Sequence, residues 1–146
     1  MLNDVPSPDP LAALARDFVA DFADRGPDFL ASHLPERFVV GTPDGANVVE
    51  RDRFVQAALQ RADLVAGRGL PSPVLVDIHA TALGEAYLLA TAHWRLPLPG
   101  RPELDLVEDF LIDRTGPAWT CLAYLLRQDL PSLIRDAPAP EAAMAD

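Results

Sequence analysis

The sequence has no lysine; all twelve of its basic residues are arginine. That excludes an amine for Schiff-base chemistry and the lysine a phosphate-binding P-loop requires. As a compositional trait it points to GC-rich coding and a bacterial source. Cysteine is nearly absent, Cys121 standing alone, so neither a disulfide framework nor a thiolate metal cluster is available. A single cysteine in a strand-like stretch reads first as core filler. Basic charge is scarce: 12 arginines against 22 acids give a net charge of −10 and a pI of about 4.5. Nucleic acid and anionic membrane surfaces both call for a basic face, so neither is expected as a partner. No apolar run approaches the roughly 20 residues of a membrane span. The acidic, proline-rich start contains no apolar signal segment, so the expected location is the cytoplasm. No HxxxH or similar spacing calls for a metal, no cofactor motif is present, and the four serines lie in no GxSxG context.

What is present suits one globular domain: 146 residues, 49% of them apolar and 23% charged. The domain is expected over residues 10–135, between a flexible N-terminus (1–9) and a flexible tail (136–146). Asp9-Pro10 is a helix start, with the acid as cap and proline in the first turn. Leu11, Leu14, Phe18 and Phe22 then recur at helical spacing through Asp24. After the Gly26-Pro27 break a short helix carries Phe29, Leu30 and Leu34. Arg37–Gly41 and Ala46–Glu50 read as strands around the turn Pro43-Asp44-Gly45. A third helix, from about Asp52 to Val65, is expected to bury Phe54, Ala58, Leu59 and Ala62. Long strands follow at Val74–Ala82, Ala86–Leu96 and Leu104–Asp113. A last strand runs from about Ala118 to Arg127, and Asp129–Arg135 reads as a helical turn. The expected fold is α+β: a curved, mixed but mostly antiparallel sheet wrapped on three N-terminal helices.

One residue breaks the pattern. In Leu104–Asp113 one parity reads Leu104, Leu106, Glu108, Phe110, Ile112, and side chains alternate across a strand. Glu108 should therefore point inward, where an unpaired carboxylate is costly and either finds a partner or takes up a proton. It is the candidate catalytic or ligand-contacting acid; the alternative is a structural pairing with an arginine or a backbone amide. Trp94 shares the inward parity of Ala86, Leu88, Ala90, Ala92 and Leu96, and small residues on that face leave room for helices or a ligand. The opposite parity sends His93, with Tyr87, Thr91 and Arg95, outward; His79 lies with Asp77 and Thr81 on the same outer side. His33 ends the second helix, where its ring suits the dipole. Asp77, Asp105, Asp109 and Asp113 read as a solvated outer face, Asp109 lying within reach of Arg95 or Arg127 for an ordinary surface pair. Leu111, Val107, Leu122 and Tyr124 would also face outward. A partly apolar outer sheet face needs a cover, which predicts a homodimer through it.

The element order, together with Phe18-Val19-Ala20-Asp21-Phe22, Thr42-Pro43-Asp44-Gly45 and Phe110-Leu111-Ile112-Asp113-Arg114-Thr115-Gly116, resembles the nuclear transport factor 2-like superfamily, which includes ketosteroid isomerases and SnoaL-like cyclases. The resemblance covers roughly residues 10–130. It implies a cone-like, cystatin-like α+β barrel with a helix-capped cavity for a small apolar molecule. Set against ketosteroid isomerase, the helix-1 tyrosine falls on Phe18, the proton-shuttling aspartate on Thr42 and the protonated aspartate on Glu108. The phenol and the base are thus missing, so isomerase, cyclase or dehydratase chemistry would lack its usual partner for Glu108. Phe18, Phe22, Thr42, Trp94, Phe110, Trp119 and Cys121 are the expected ligand-lining set. The other reading is a non-catalytic homodimeric interaction module whose cone is filled by its own side chains.

Overall fold

A computed structural model describes residues 9–128 except 25, 68, 70, 99 and 101, and leaves the side chains of 24 and 65 undescribed. The expected tails, apart from Asp9, and the turn at Asp129–Arg135 lie outside the described residues.

Helix α1 (Pro10–Asp24) starts as its sequence dictates. The carboxylate of Asp9 accepts from the Leu11 amide at 3.0 Å, satisfying one of the free donors of the first turn. Ala15, Phe18, Val19 and Phe22 form its buried stripe. Leu14 departs from expectation: it is 54% exposed, because the buried stripe runs to one side of it. Gly26, with φ at 78°, adopts the left-handed conformation that turns the chain into α2 (Pro27–His33). Arg51 then donates to the carbonyls of Ala31 and Leu34 at 3.3 and 3.2 Å, tying off the end of α2.

Strands β1 (Arg37–Thr42) and β2 (Gly45–Glu50) form a hairpin. Helix α3 (Arg51–Gly67) is followed by β3 (Val74–Leu83), β4 (Tyr87–Leu96), β5 (Leu104–Asp113) and β6 (Thr120–Leu126). All six strands make one sheet in the order β2-β1-β6-β5-β4-β3, antiparallel except where β1 meets β6. The helices and the inward residues of the strands share one core, in which Phe22, Phe38, Phe54, Phe110 and Tyr124 meet ring to ring at 4.9–6.0 Å. Among the described residues no helix is long and apolar enough to cross a membrane.

Two expectations about facing are corrected. Helix α3 buries Phe54 and packs Val55, Ala58 and Leu64 against the core, while Leu59 is 47% exposed and Ala62 is exposed as well. The buried stripe therefore runs through Phe54, Ala58 and Arg61, one step round from the expected face. Tyr124 was expected outside and is 2% exposed inside. The cause is a bulge: Leu111 pairs with Ala123 but Ile112 pairs with Cys121, so Leu122 is an extra residue in β6. One inserted residue exchanges the faces of everything beyond it.

Candidate functional site

Strand alternation places Glu108 on the core side of β5, opposite Ala92 of β4 and Leu126 of β6. The bulge in β6 brings the Tyr124 hydroxyl onto it, donating to Glu108 Oε2. From α3, Arg61 stands beside Tyr124 and close enough to Glu108 for attraction between the two charges. Trp94 of β4 completes the group. Its Nε1–H lies near the carboxylate but is buried without a hydrogen bond of proper geometry. Helix α3, the long strands and the short returning strand thus each supply one polar group to a single point in the core.

The electrostatics follow from this enclosure. Burial raises the Glu108 carboxyl above the ordinary range, and Arg61, Tyr124 and Trp94 offset only part of that. Burial together with the Glu108 charge pushes the Tyr124 phenol well up, so it stays protonated and remains a donor. Arg61 is held charged, by Tyr124 first and by Glu108 as well, against its own burial. The Glu108 carboxyl is closely surrounded by these groups. The arrangement can hold a proton on Glu108, fix a phenol against it, and present N–H donors from Arg61 and Trp94.

The expected lining residues divide among three places. Phe22, Trp94, Phe110 and Cys121 are buried in the core. The Cys121 thiol feels the Glu108 charge; burial chiefly drives it up to about 12, so it is not a nucleophile at neutral pH. Phe18 and Trp119, 5.9 Å apart between ring centres, instead line an open pocket of about 200 Å³ with Leu14, Asp21, Phe29 and His33. There the His33 ring stacks on Phe29 at 3.9 Å, and its Nδ1 lies 2.9 Å from the Phe29 carbonyl. Thr42 lies elsewhere again. It is exposed at the hairpin, where its hydroxyl accepts from the Asp44 amide and donates to the Gly45 carbonyl, so turn chemistry accounts for it.

His79 and His93 are both exposed. Asp109 corrects the reading of a solvated outer acid: it is 8% exposed, receiving Thr91 at 2.7 Å and Arg127 through two nitrogens at 2.8 and 3.0 Å. Arg95 pairs with Glu103 instead. Among the described residues no group of three or more His, Cys, Asp or Glu is placed to hold a metal ion.

The sequence placed Glu108 and Trp94 on the inner face, as the structure has them, but did not single out Tyr124 and Arg61 beside them. Tyr124 was hidden by the bulge. Arg61 had a usable signal, since Phe54, Ala58 and Arg61 share helical spacing and a charged residue on an apolar stripe marks an inward cation.

The architecture has solved counterparts. An NTF2-like protein from Cytophaga hutchinsonii superposes with a TM-score of 0.57 at 10% identity, covering 80% of this chain and 94% of that one. The fold is NTF2-like. A domain with a cystatin-like fold from Nostoc punctiforme matches at TM-score 0.56 and 14% identity, over 86% of this chain and 80% of its own. The association domain of C. elegans CaMKII matches at 0.54 and 9% identity, over 80% and 89% of the two chains. No protein-family model and no curated protein matches the sequence.

Proposed function

We propose that this NTF2-like domain binds a small apolar molecule in its cone, with the Glu108–Tyr124–Arg61–Trp94 group as the polar end of the site. The observation that carries the reading is the Trp94 indole N–H, buried beside the Glu108 carboxyl without a hydrogen bond of proper geometry. An unmet buried donor is costly, and a ligand oxygen would satisfy it. Should the site be catalytic, Glu108 is its acid, and Tyr124 supplies a phenol from β6 where Phe18 offers none. Isomerase, cyclase or dehydratase chemistry then still needs a base from the substrate or a bound water, because Thr42 is engaged in its turn.

The test is a native mass-spectrometry and thermal-shift screen of steroid-like, polyketide-like and terpenoid compounds against wild type and Glu108→Gln. Ligands that bind wild type and respond to the substitution support the site. Hits whose affinity and pH dependence are both unchanged by it remove Glu108 from the reading, and an empty screen favours the second one.

That second reading is a homodimeric interaction module. Val39, Val48 and Leu125 are exposed at 36, 70 and 38% on the outer sheet face, an apolar surface that a second copy would cover. The structural likeness to an association domain is consistent with it. Sedimentation of wild type against Leu125→Arg tests this: a dimer that dissociates in the variant supports it, and a wild-type monomer overturns it.

A further inference from the structure

Resting on the proposal of an interior ligand site, the chemistry of its polar end narrows the ligand class. Around Glu108 the described charged and titratable groups are Arg61 from α3 and Tyr124 and Cys121 from β6; β4 contributes the neutral donor Trp94. The Tyr124 proton is already committed to Glu108 Oε2. The donor left without a well-formed bond is the indole N–H, and beside it stands the Arg61 guanidinium, which bonds Tyr124 with one of its five N–H donors. A ligand head that answers this cluster brings acceptor oxygens, and a guanidinium in an enclosed site favours a planar anionic one.

We propose that the interior site takes an apolar carboxylate, whose oxygens accept from Arg61 and Trp94 while Glu108 takes up one proton from solvent. The proton follows from electrostatics. Two carboxylates beside one guanidinium in a poorly hydrated space cannot both stay ionised, so the one already disfavoured by its surroundings is neutralised. No covalent bond changes; the ligand enters as its anion, one proton enters with it, and the net charge of the filled site is unchanged. The neutral Glu108 then has an O–H of its own to donate, to the ligand or to the Tyr124 oxygen.

The test uses benzoate, cyclohexanecarboxylate and octanoate, each beside its primary amide, in calorimetry with buffers of different ionisation enthalpy. The expected result is a carboxylate bound at least tenfold tighter than its amide at pH 6, with up to one proton taken up. Affinity then falls by up to about tenfold per pH unit as the medium becomes more basic. Glu108→Gln should keep carboxylate binding and abolish proton uptake, a combination that lost folding would not produce; Trp94→Phe should weaken both members of each pair. Amides bound as tightly as acids, or acids bound with no proton taken up, overturn the carboxylate assignment while leaving an interior ligand site in place. If neither acids nor amides bind while the screen yields neutral apolar ligands, the head-group assignment falls alone. If nothing binds in either experiment, the ligand reading itself falls.

Discussion

Glu108 and Asp109 are neighbours on β5 and lie on opposite faces of the sheet, and their environments drive their acidities in opposite directions. For Asp109 burial pulls upward, but the hydrogen bonds from Arg127 and Thr91 and the Arg127 charge together outweigh it, leaving the carboxyl below its usual value. Glu108 also has a guanidinium and a hydroxyl for neighbours, yet its burial wins and its carboxyl is raised. The difference is supply. Asp109 accepts three well-formed hydrogen bonds, two of them from one arginine. Glu108 is given one, with a second donor beside it that does not connect. A carboxylate placed in a core and left short of donors has capacity to spare for a ligand or a proton, whereas a saturated one is a fastening.

The largest test of that contrast is Arg61→Met. It leaves Glu108 without its cation and should cost about 3 kcal/mol at neutral pH, as breaking an enclosed pair usually does. The loss should shrink in acid as Glu108 protonates, and pairing the change with Glu108→Gln should recover most of it. Denaturant unfolding at pH 5 and pH 8 measures both; a loss independent of pH would mean that Arg61 serves packing alone. Next comes Asp109→Asn, expected to cost roughly 1–3 kcal/mol because Arg127 and Thr91 lose a charged acceptor.

The two acids should also leave opposite traces in stability against pH. The folded value of Asp109 is depressed, so its contribution is present above its unfolded value and is lost as pH falls through the folded one. The folded value of Glu108 is raised, so the native state holds its proton more tightly than the unfolded chain does. Its contribution is complete below the unfolded value near 4.5 and is lost as pH rises through the folded value. Glu108→Gln should therefore flatten the decline of stability on the way up to neutrality, and Asp109→Asn the decline in acid. Melting temperatures from pH 3 to 8 read both slopes, and identical slopes in the two variants would erase the contrast.

How much of this was legible in the sequence differs between strands for a physical reason. In β5 the aspartates Asp105, Asp109 and Asp113 all fall on one parity, so the inward facing of Glu108 and Phe110 on the other could be read directly. In β6, Thr120-Cys121-Leu122-Ala123-Tyr124-Leu125-Leu126 has no polar alternation to fix its phase, and a bulge is a matter of pairing that one strand alone does not encode. The same limit held on α3, where Leu59 and Ala62 were expected in the core and Arg61 was not singled out. The apolar residues there fit more than one face of a helix, and contact with the sheet decides which is buried. Thr42 shows a different gap. Placing it at the cavity by correspondence ignored that a threonine two residues ahead of a turn amide has a nearer use for its hydroxyl.

The smallest effect separates the two faces by packing rather than charge. On the inner face Ala92 is wholly buried opposite Glu108, and Ala92→Leu should cost about 1–3 kcal/mol by overfilling the space beside the site. On the outer face Gly41 sits against Leu125, and a methyl group added there would meet Leu125 Cδ2 at 2.5 Å. That atom is the free end of a side chain already 38% exposed, so it can swing into solvent. Gly41→Ala is therefore expected to change stability by less than about 1 kcal/mol, since the strain relieved by rotation is offset by the entropy a glycine loses on folding. Paired urea unfolding curves decide it. A cost for Gly41→Ala as large as that for Ala92→Leu would mean that Leu125 is held in place from outside, which in solution only a covering partner could do.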